Sequence, residues 1–420
     1  MNKKLENIND NIDTHHLGLY IKEARLRQGY RLTEVAQGIC AISVLSRIES
    51  GAFEPTPALF EKLSEKLEMK FPKRDRLNPI ASFKTMIYRH QFEEIDRLFN
   101  RDQLYDYEKP LFSFLVAVKK GEMEKAETFK KVVDKWAGHL NLKEKQMYTL
   151  FNAIYFFSQC EWEEGADFLE QSYKIAQQKV IEDPLLEMEI AKYYFKVGRS
   201  HLGFVFLDRA YILFQKFLAK KSIFECLVIG CDEYIKLGEL NVALGKIEQL
   251  HHFLELDENE ILANDILSLS GRVAQLRKQP VAAENIFSKL ASEKKEKLSE
   301  SCLISIVEFY YERGNLSRVL SFIDGLERQM KMMSHQLQTL LEYYYYKATD
   351  WINNDFEIFL LDDAIPQAME DLNSASIMMY MKDLVKFYEI KKSNKGIATT
   401  YQALEAFRNR LSKMKTMQAT

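Results

Sequence analysis

The feature that most narrows what this chain can fold into is a period. Past about residue 105 it reads as helix after helix, with turn points near Gly121, Cys160, Gly198, Gly238, Lys278, Gly314, Asn353 and Ser393. The successive spacings between them are 39, 38, 40, 40, 36, 39 and 40. Spacings that regular predict a stacked array of helix–turn–helix units, each burying its apolar face only against its neighbours. Five residues after the first five turns stands a small residue: Ala126, Gly165, Gly203, Ala243 and Ala283. Small side chains there let two helices approach closely. Tyr194, Tyr234 and Tyr310, each four before a turn glycine, are sized to fill the space between helices. Only 16 Gly and 8 Pro occur in 420 residues. A loop-rich β sandwich or a Gly-rich nucleotide fold uses more of both, whereas long helices with short connections do not.

The pattern of small and aromatic positions resembles tetratricopeptide repeats, lengthened to about 39 residues and lacking the family's initial Trp and terminal Pro. About eight repeats run from Tyr105 to Leu411, preceded by one linking helix near Ser82–Asn100. In such repeats the first helix of each pair faces a concave groove. The position six before the turn is then Lys192, Asp232, Arg272 and Glu308 in four successive repeats. Three before the turn, Phe195, Ile235, Gln275 and Tyr311 form a parallel row. Alternating charge flanked by apolar groups suits an extended peptide. The same row is equally consistent with neighbours bracing each other, Lys192 with Asp232 and Arg272 with Glu308. Of the consecutive tyrosines Tyr343–Tyr346 at most two can share a helix face, so most of them are expected to pack between repeats.

The segment before Lys70 has a different texture. Ile21, Ala24 and Leu26 lie in a helix-period stretch that stops at Gly29. Thr33 is placed to cap a short second helix. A sharp turn leads into the segment Ser43–Ser50, which ends at Gly51. Pro55 and Pro57 then break the chain, and Leu59, Leu63 and Leu67 mark an amphipathic helix. Two short helices joined by a tight turn inside a small bundle suggest a helix-turn-helix, whose second helix enters the major groove. Leu45 and Ile48 anchor that helix inward, and Ser43, Ser46 and Arg47 point out. Arg47 can donate two hydrogen bonds to a guanine edge or contact phosphate. The bland alternative is a plain helical bundle with a solvated basic face.

The pieces GIC-x-x-S-x-L-S-R-I-E-S-G and the following x-x-x-P, within residues 17–67, resemble the helix-turn-helix of Rgg/PlcR-type (RRNPP) peptide-pheromone receptors. The resemblance implies an ion pair between Arg25, four residues before the helix-1 glycine, and Glu49, which ends the recognition helix. It also implies base or backbone contacts from Ile42, Ser43, Val44, Ser46 and Arg47. The turn is one residue shorter than in most repressors, which sets the base-contacting register only to within one position. The family clamps peptide backbones with helix asparagines, which makes Asn152 and Asn264 candidates for peptide binding here. Specific readers of this kind bind two half-sites as dimers. The resemblance therefore implies a homodimer, with dimerisation outside the first domain.

Net charge is −3, so no whole-chain basic excess marks nucleic acid; residues 1–76 carry net +2 and the remainder −5. The five cysteines are scattered without a C-x-x-C pair, which reads as reduced thiols. The N-terminus has no apolar signal region, and no apolar run long enough to span a bilayer occurs, so a cytoplasmic chain without a membrane partner is expected. H-E-x-x-H, Walker, G-x-S-x-G and G-x-G-x-x-G motifs are missing. His15–His16 and His251–His252 diverge on a helix and make poor joint ligands. No catalytic residue, metal or cofactor is expected.

The reading that results is an all-α protein: a small N-terminal helix-turn-helix bundle followed by a right-handed α-solenoid of tetratricopeptide-like repeats. Residues 1–16 form a polar lead-in, 17–72 the DNA-binding domain, 73–103 the linker and linking helix, and 104–420 the repeats, which bind peptide and dimerise. The function implied is a quorum-sensing transcriptional regulator, with an operator on double-stranded DNA and a short oligopeptide pheromone as partners. Two other functions fit the same parts. The repeats could dock and inhibit a response-regulator protein, or the chain could be a peptide-responsive repressor of a phage or mobile element.

Overall fold

The computed structural model describes residues 17–50, 52, 53, 55–69, 79–99, 108–135, 137–254, 259–330 and 332–417. The lead-in 1–16, Gly51, residues 73–78 of the linker and Tyr105, where the repeats are expected to begin, lie outside them. Among the described residues the structure is helical, with no strand. The chain divides into two compact units, Met1–Leu186 and Glu187–Gln418.

The first unit opens with α1 (Leu17–Arg27), α2 (Leu32–Ala36), α3 (Ile42–Glu49) and α4 (Pro57–Lys66). Their apolar faces meet in one core of Tyr20, Ile21, Val35, Ala36, Leu45, Ile48, Phe60, Leu63 and Leu67. Leu26 faces solvent, not the core. Gly18 explains how α1 and α3 touch: a Cβ there would lie 1.8 Å from the Ile48 carbonyl oxygen. Thr33 sits inside α2, and the cap position is Arg31 instead. The Arg31 N–H donates to the Glu34 carboxylate at 2.5 Å. Thr56 caps α4, with Pro57 at the position where a missing N–H costs nothing.

The sequence predicts one linking helix before the repeats, near Ser82–Asn100. The structure has two, α5 (Pro79–Tyr88) and α6 (Phe92–Phe99), broken at His90, whose φ is 57°. The pair therefore has the helix–turn–helix form of the repeats that follow. α5 is held by a buried polar network around Asp183. Lys84 Nζ donates to Asp183 Oδ2 at 2.7 Å and Tyr88 Oη to Oδ1 at 2.9 Å. Gln146 Nε2 donates to Oδ2 at 3.2 Å, and the Leu185 amide to Oδ1 at 3.1 Å. Burial alone would raise the Asp183 pKa, but the Lys84 ammonium and these donors outweigh it and hold it below its ordinary value.

The repeats begin with α7 (Glu108–Lys120), α8 (Met123–Val133), α9 (Leu142–Ser158) and α10 (Trp162–Gln178). Then come α11 (Pro184–Lys196), α12 (Ser200–Lys216), α13 (Lys220–Lys236) and α14 (Leu240–Leu254). α15 (Glu260–Leu276), α16 (Pro280–Ser292), α17 (Glu300–Glu312) and α18 (Leu316–Asp324) continue the series. Gly121, Gly198, Gly238 and Gly314 take φ of 70–78° at the turns, and Cys160 and Lys278 adopt the same left-handed geometry at 61° and 57°. For those two the conformation costs roughly 1–2 kcal/mol, offset by the bonds it closes. The equivalent closing bond at Gly198 runs from the Arg199 amide to the Tyr194 carbonyl at 2.8 Å.

At three of the turns, the glycine that follows meets an aromatic eight positions earlier. A Cβ on Gly165 would lie 2.4 Å from the Phe157 ring, on Gly203 2.5 Å from Phe195, and on Gly396 2.6 Å from Tyr388. Tyr194 packs on Phe206, and Tyr234 stacks on Phe204 at 4.2 Å. The seventh unit is irregular. A short helix α19 (Glu327–Met330) precedes α20 (His335–Ala348). Asn353 caps α21 (Asn354–Ile358) without a left-handed turn, and a π-helical segment, Phe359–Ala364, leads into α22 (Ile365–Glu370). The last pair is α23 (Ser374–Ile390) and α24 (Asn394–Lys413).

Gly203→Ala is expected to lower stability by about 1–3 kcal/mol through overpacking against Phe195. Gly245, also helical, has nothing within 4 Å of an added Cβ. Gly245→Ala should raise stability by about 0.5–1 kcal/mol. Urea unfolding of the two variants checks the contrast. Asp183→Ala, which leaves the Lys84 ammonium without its carboxylate, should cost about 3–5 kcal/mol. Because Asp183 titrates lower in the fold than unfolded, its contribution is present above the ordinary carboxylate pKa. It is lost as pH falls through the folded value. Unfolding midpoints of wild type and variant should therefore converge only in strong acid.

Candidate DNA-reading and peptide-binding sites

The DNA-reading candidate is built from α3. Its inward residues Leu45 and Ile48 are fully buried. Ile42, Ser43, Ser46 and Arg47 are exposed, and Val44 is half-buried against the core. One face is therefore anchored and the opposite face offers an apolar side chain, two hydroxyls and a guanidinium. The Arg47 guanidinium lies 5.7 Å from the centre of the Phe53 ring, a cation–π contact that holds it beside the helix end.

The fixed orientation of α3 comes from its last residue. Arg25 Nε donates to Glu49 Oε1 at 2.7 Å and Nη2 to Oε2 at 2.8 Å, a bidentate pair that is almost wholly buried. Arg25 Nη1 also donates to the Tyr30 carbonyl at 2.9 Å, which ties the α1–α2 connection to the same point. The Glu49 hydrogen bond and charge raise the Arg25 pKa further above its already high value.

In the unit Glu187–Gln418, Lys192, Asp232, Arg272 and Glu308 stand half-buried on α11, α13, α15 and α17. They are partnered, but in a different order from the one the spacing suggested. Lys192 bonds to Glu189 at 3.1 Å and Glu225 at 2.8 Å, not to Asp232. Arg272 reaches back to Asp232, which also holds Lys236 at 2.7 Å, so Arg272 is not paired with Glu308. The reason is reach: each cation takes the nearest carboxylate on its own or the adjoining first helix, and Glu225 is nearer to Lys192 than the residue one full repeat on. Glu308 receives only a long 3.4 Å bond from Tyr344 Oη, and burial pushes its pKa up.

The parallel row is mixed. Phe195 packs on Phe204, with ring centres 5.1 Å apart, and Ile235 is buried. Gln275 donates to Glu312, and Tyr311 meets Tyr344 edge-on. Asn264 donates to the Lys297 carbonyl at 3.1 Å, so its amide braces the next repeat. In the other unit Asn152 is fully buried on α9 and donates to the Tyr148 carbonyl at 2.8 Å. Its Oδ1 has no hydrogen-bond partner.

Spacing alone did not single out Glu189, Glu225, Glu312, Tyr344 or Asp383. Tyr343 donates to Asp383 at 2.5 Å, one repeat further on, and Lys347 pairs with Asp383 at 2.8 Å. The same period, carried past the irregular seventh unit, could have found that pair. Tyr343 and Tyr344 are buried, Tyr345 is exposed and Tyr346 is half-buried. All five cysteines are free thiols. Among the described residues no cluster of three His, Cys, Asp or Glu could hold a metal, and no helix is long and apolar enough to cross a membrane.

Arg25→Ala should destabilise the protein by about 3 kcal/mol, because Glu49 is left buried and unpaired. Arg47→Ala should change stability by less than about 0.5 kcal/mol, as an exposed position. Thermal unfolding followed by circular dichroism separates the two.

Residues 21–72 match the Helix-turn-helix family. Over 409 residues the chain is 21% identical to the transcriptional activator NprA of Geobacillus stearothermophilus, covering 88% of this chain and 99% of that protein. It is similar to the structure of NprR in complex with its cognate peptide NprX, with a TM-score of 0.62 and 17% identity. That match covers 77% of this chain and 96% of the other. A Rap protein complexed with competence and sporulation factor matches with a TM-score of 0.65 and 12% identity, over 80% and 98% of the two chains. The first of these is named a transcriptional activator, and the two structures are complexes with a cognate peptide and with competence and sporulation factor. The chain is thus similar to these proteins over most of its length, with a helix-turn-helix match at residues 21–72 followed by a series of paired helices.

Proposed function

We propose that this protein is a cytoplasmic transcriptional regulator that binds an operator as a homodimer and is controlled by a short signalling peptide held in its repeats. The observation that carries the DNA-reading half is α3. Its buried Leu45, Ile48 and Glu49 fix the helix, and its exposed Ile42, Ser43, Ser46 and Arg47 share the free face. That division is what insertion into a major groove requires. Arg47 reads a guanine edge or a phosphate, the serines bond to either, and Ile42 meets apolar base edges.

The peptide-binding half rests on the partnered row Lys192, Asp232, Arg272 and Glu308 with Phe195, Gln275 and Tyr311. These groups are half-buried, so a peptide gains charge-assisted bonds in a partly desolvated setting. Glu308, with its single long bond, is the member of the row best able to accept a new donor. Asn264 is a weaker candidate because its amide is already engaged, and Asn152, with an unpaired buried oxygen, is a separate candidate within the other unit. Peptide binding changes operator affinity through a coupling of about 1–3 kcal/mol.

Fluorescence anisotropy at fixed salt, on DNA from upstream of the chain's own gene, tests this reading. Synthetic peptides from small neighbouring reading frames supply the candidate signals. Specific binding that one peptide shifts at least tenfold is the expected result. Arg47→Ala should abolish specific binding, and unchanged operator affinity would remove α3 as the reader. Arg272→Glu should weaken peptide binding in a calorimetric titration while the apo protein keeps its DNA affinity. Absence of specific DNA binding under all conditions would favour docking of a protein partner by the repeats.

A further inference from the structure

The last described residues do not continue α24. At Met414 the backbone turns extended, with φ −60° and ψ 140°. Residues 414–417 then lie against the first helical pair of their own unit, far earlier in the sequence. Arg199 Nη2 donates to the Met414 carbonyl at 3.0 Å, and Nη1 to the Lys415 carbonyl at 3.1 Å and to the Thr416 hydroxyl. Tyr193 Oη donates to the Lys415 carbonyl at 3.0 Å, and Tyr194 Oη to the Met417 carbonyl at 3.0 Å. Met414 and Met417 are 5% and 3% exposed. A second contact closes beside it, where Lys196 Nζ donates to the Asp371 carbonyl at 2.9 Å.

This is how an extended peptide is held by a protein. Side-chain donors take three of the four backbone carbonyls, those of residues 414, 415 and 417, and apolar side chains three apart are buried. The three protein residues are rigid for the purpose. Tyr193 and Tyr194 are nearly fully buried, and Tyr194 is braced by Phe206 at 5.6 Å. Most of the donors address backbone, so the recognition does not depend on the occupant being covalently attached.

We propose that Tyr193, Tyr194 and Arg199 form a cradle for an extended, carbonyl-presenting segment with methionine-sized side chains at i and i+3, and that residues 414–417 are its exchangeable resident ligand. The docked tail fastens α11–α12 to α23–α24 and sets the closure of the Glu187–Gln418 unit. Covalent attachment gives the tail an effective concentration on the order of millimolar, so even a weak cradle stays filled in the intact chain. A free peptide of the same chemistry binds when the tail is absent. This goes beyond the reading of the groove row and holds whether or not the chain binds DNA.

The test is a chain ending at Lys413, titrated with a fluorescein-labelled peptide KMKTMQAT, the sequence of residues 413–420. The truncated chain should bind it saturably, the intact chain at least tenfold more weakly, and Arg199→Ala in the truncated chain should cost a further tenfold. A folded truncated chain that leaves the peptide unbound, or equal binding by the intact chain, overturns the proposal. Should truncation prevent folding, the intact double variant Arg199→Ala/Tyr194→Phe is compared with wild type by amide hydrogen exchange. Faster exchange at 191–199 and 411–417, with α15 and α16 unchanged, is expected. Unaltered protection of the tail would overturn it.

Discussion

Everything past residue 79 depends on how closely two helices of a pair can approach. At Gly165, Gly203 and Gly396 the approach is so close that a single added carbon would enter an aromatic ring. The turn that precedes each of these residues must be short and left-handed, and Gly198, Cys160 and Lys392 provide it at φ of 75°, 61° and 56°. A short turn and a small residue five or so positions later together fix the angle at which the second helix returns. Repeated, the same geometry brings successive first helices side by side, which is why residues roughly one repeat apart in sequence become partners.

That stacking produces the polar ladder. Lys192–Glu225, Arg272–Asp232 and Tyr343–Asp383 each join one first helix to the next. Such half-buried pairs add little net stability, since desolvation offsets much of the attraction. They are better understood as setting register and offering a polar surface within each unit. The helix-turn-helix uses a charge differently. Arg25 and Glu49 form one bidentate, nearly buried pair that joins the end of α1 to the end of α3, so the exposed side chains of α3 are presented from a fixed frame.

Much of this was legible in the amino-acid order. The turn positions, the small residues after them, the anchors Leu45 and Ile48 and the outward face of α3 follow from the helical period and the repeat period. Less was legible where a side chain has several partners in reach. Lys192 could choose among Glu189, Glu225 and Asp232, and sequence spacing does not rank distances that differ by a few ångströms. The break at His90 is hidden for a related reason. A non-glycine residue in a left-handed turn carries no compositional mark, and α5–α6 read as one helix.

The sequence by itself determined the class of fold, because helical period and repeat period are local properties that survive without knowledge of contacts. Only the tertiary structure decided which charges pair, that five donors gather on Asp183, counting the Leu186 amide at 3.4 Å, and that the tail 414–417 returns to Tyr193, Tyr194 and Arg199. Apart from the two amides beside Asp183 and the bonds of Lys192 to Glu189 and of Lys236 to Asp232, these contacts join residues far apart in the chain. Their geometry depends on the accumulated rotation of every helix pair between them, a sum that no local pattern records.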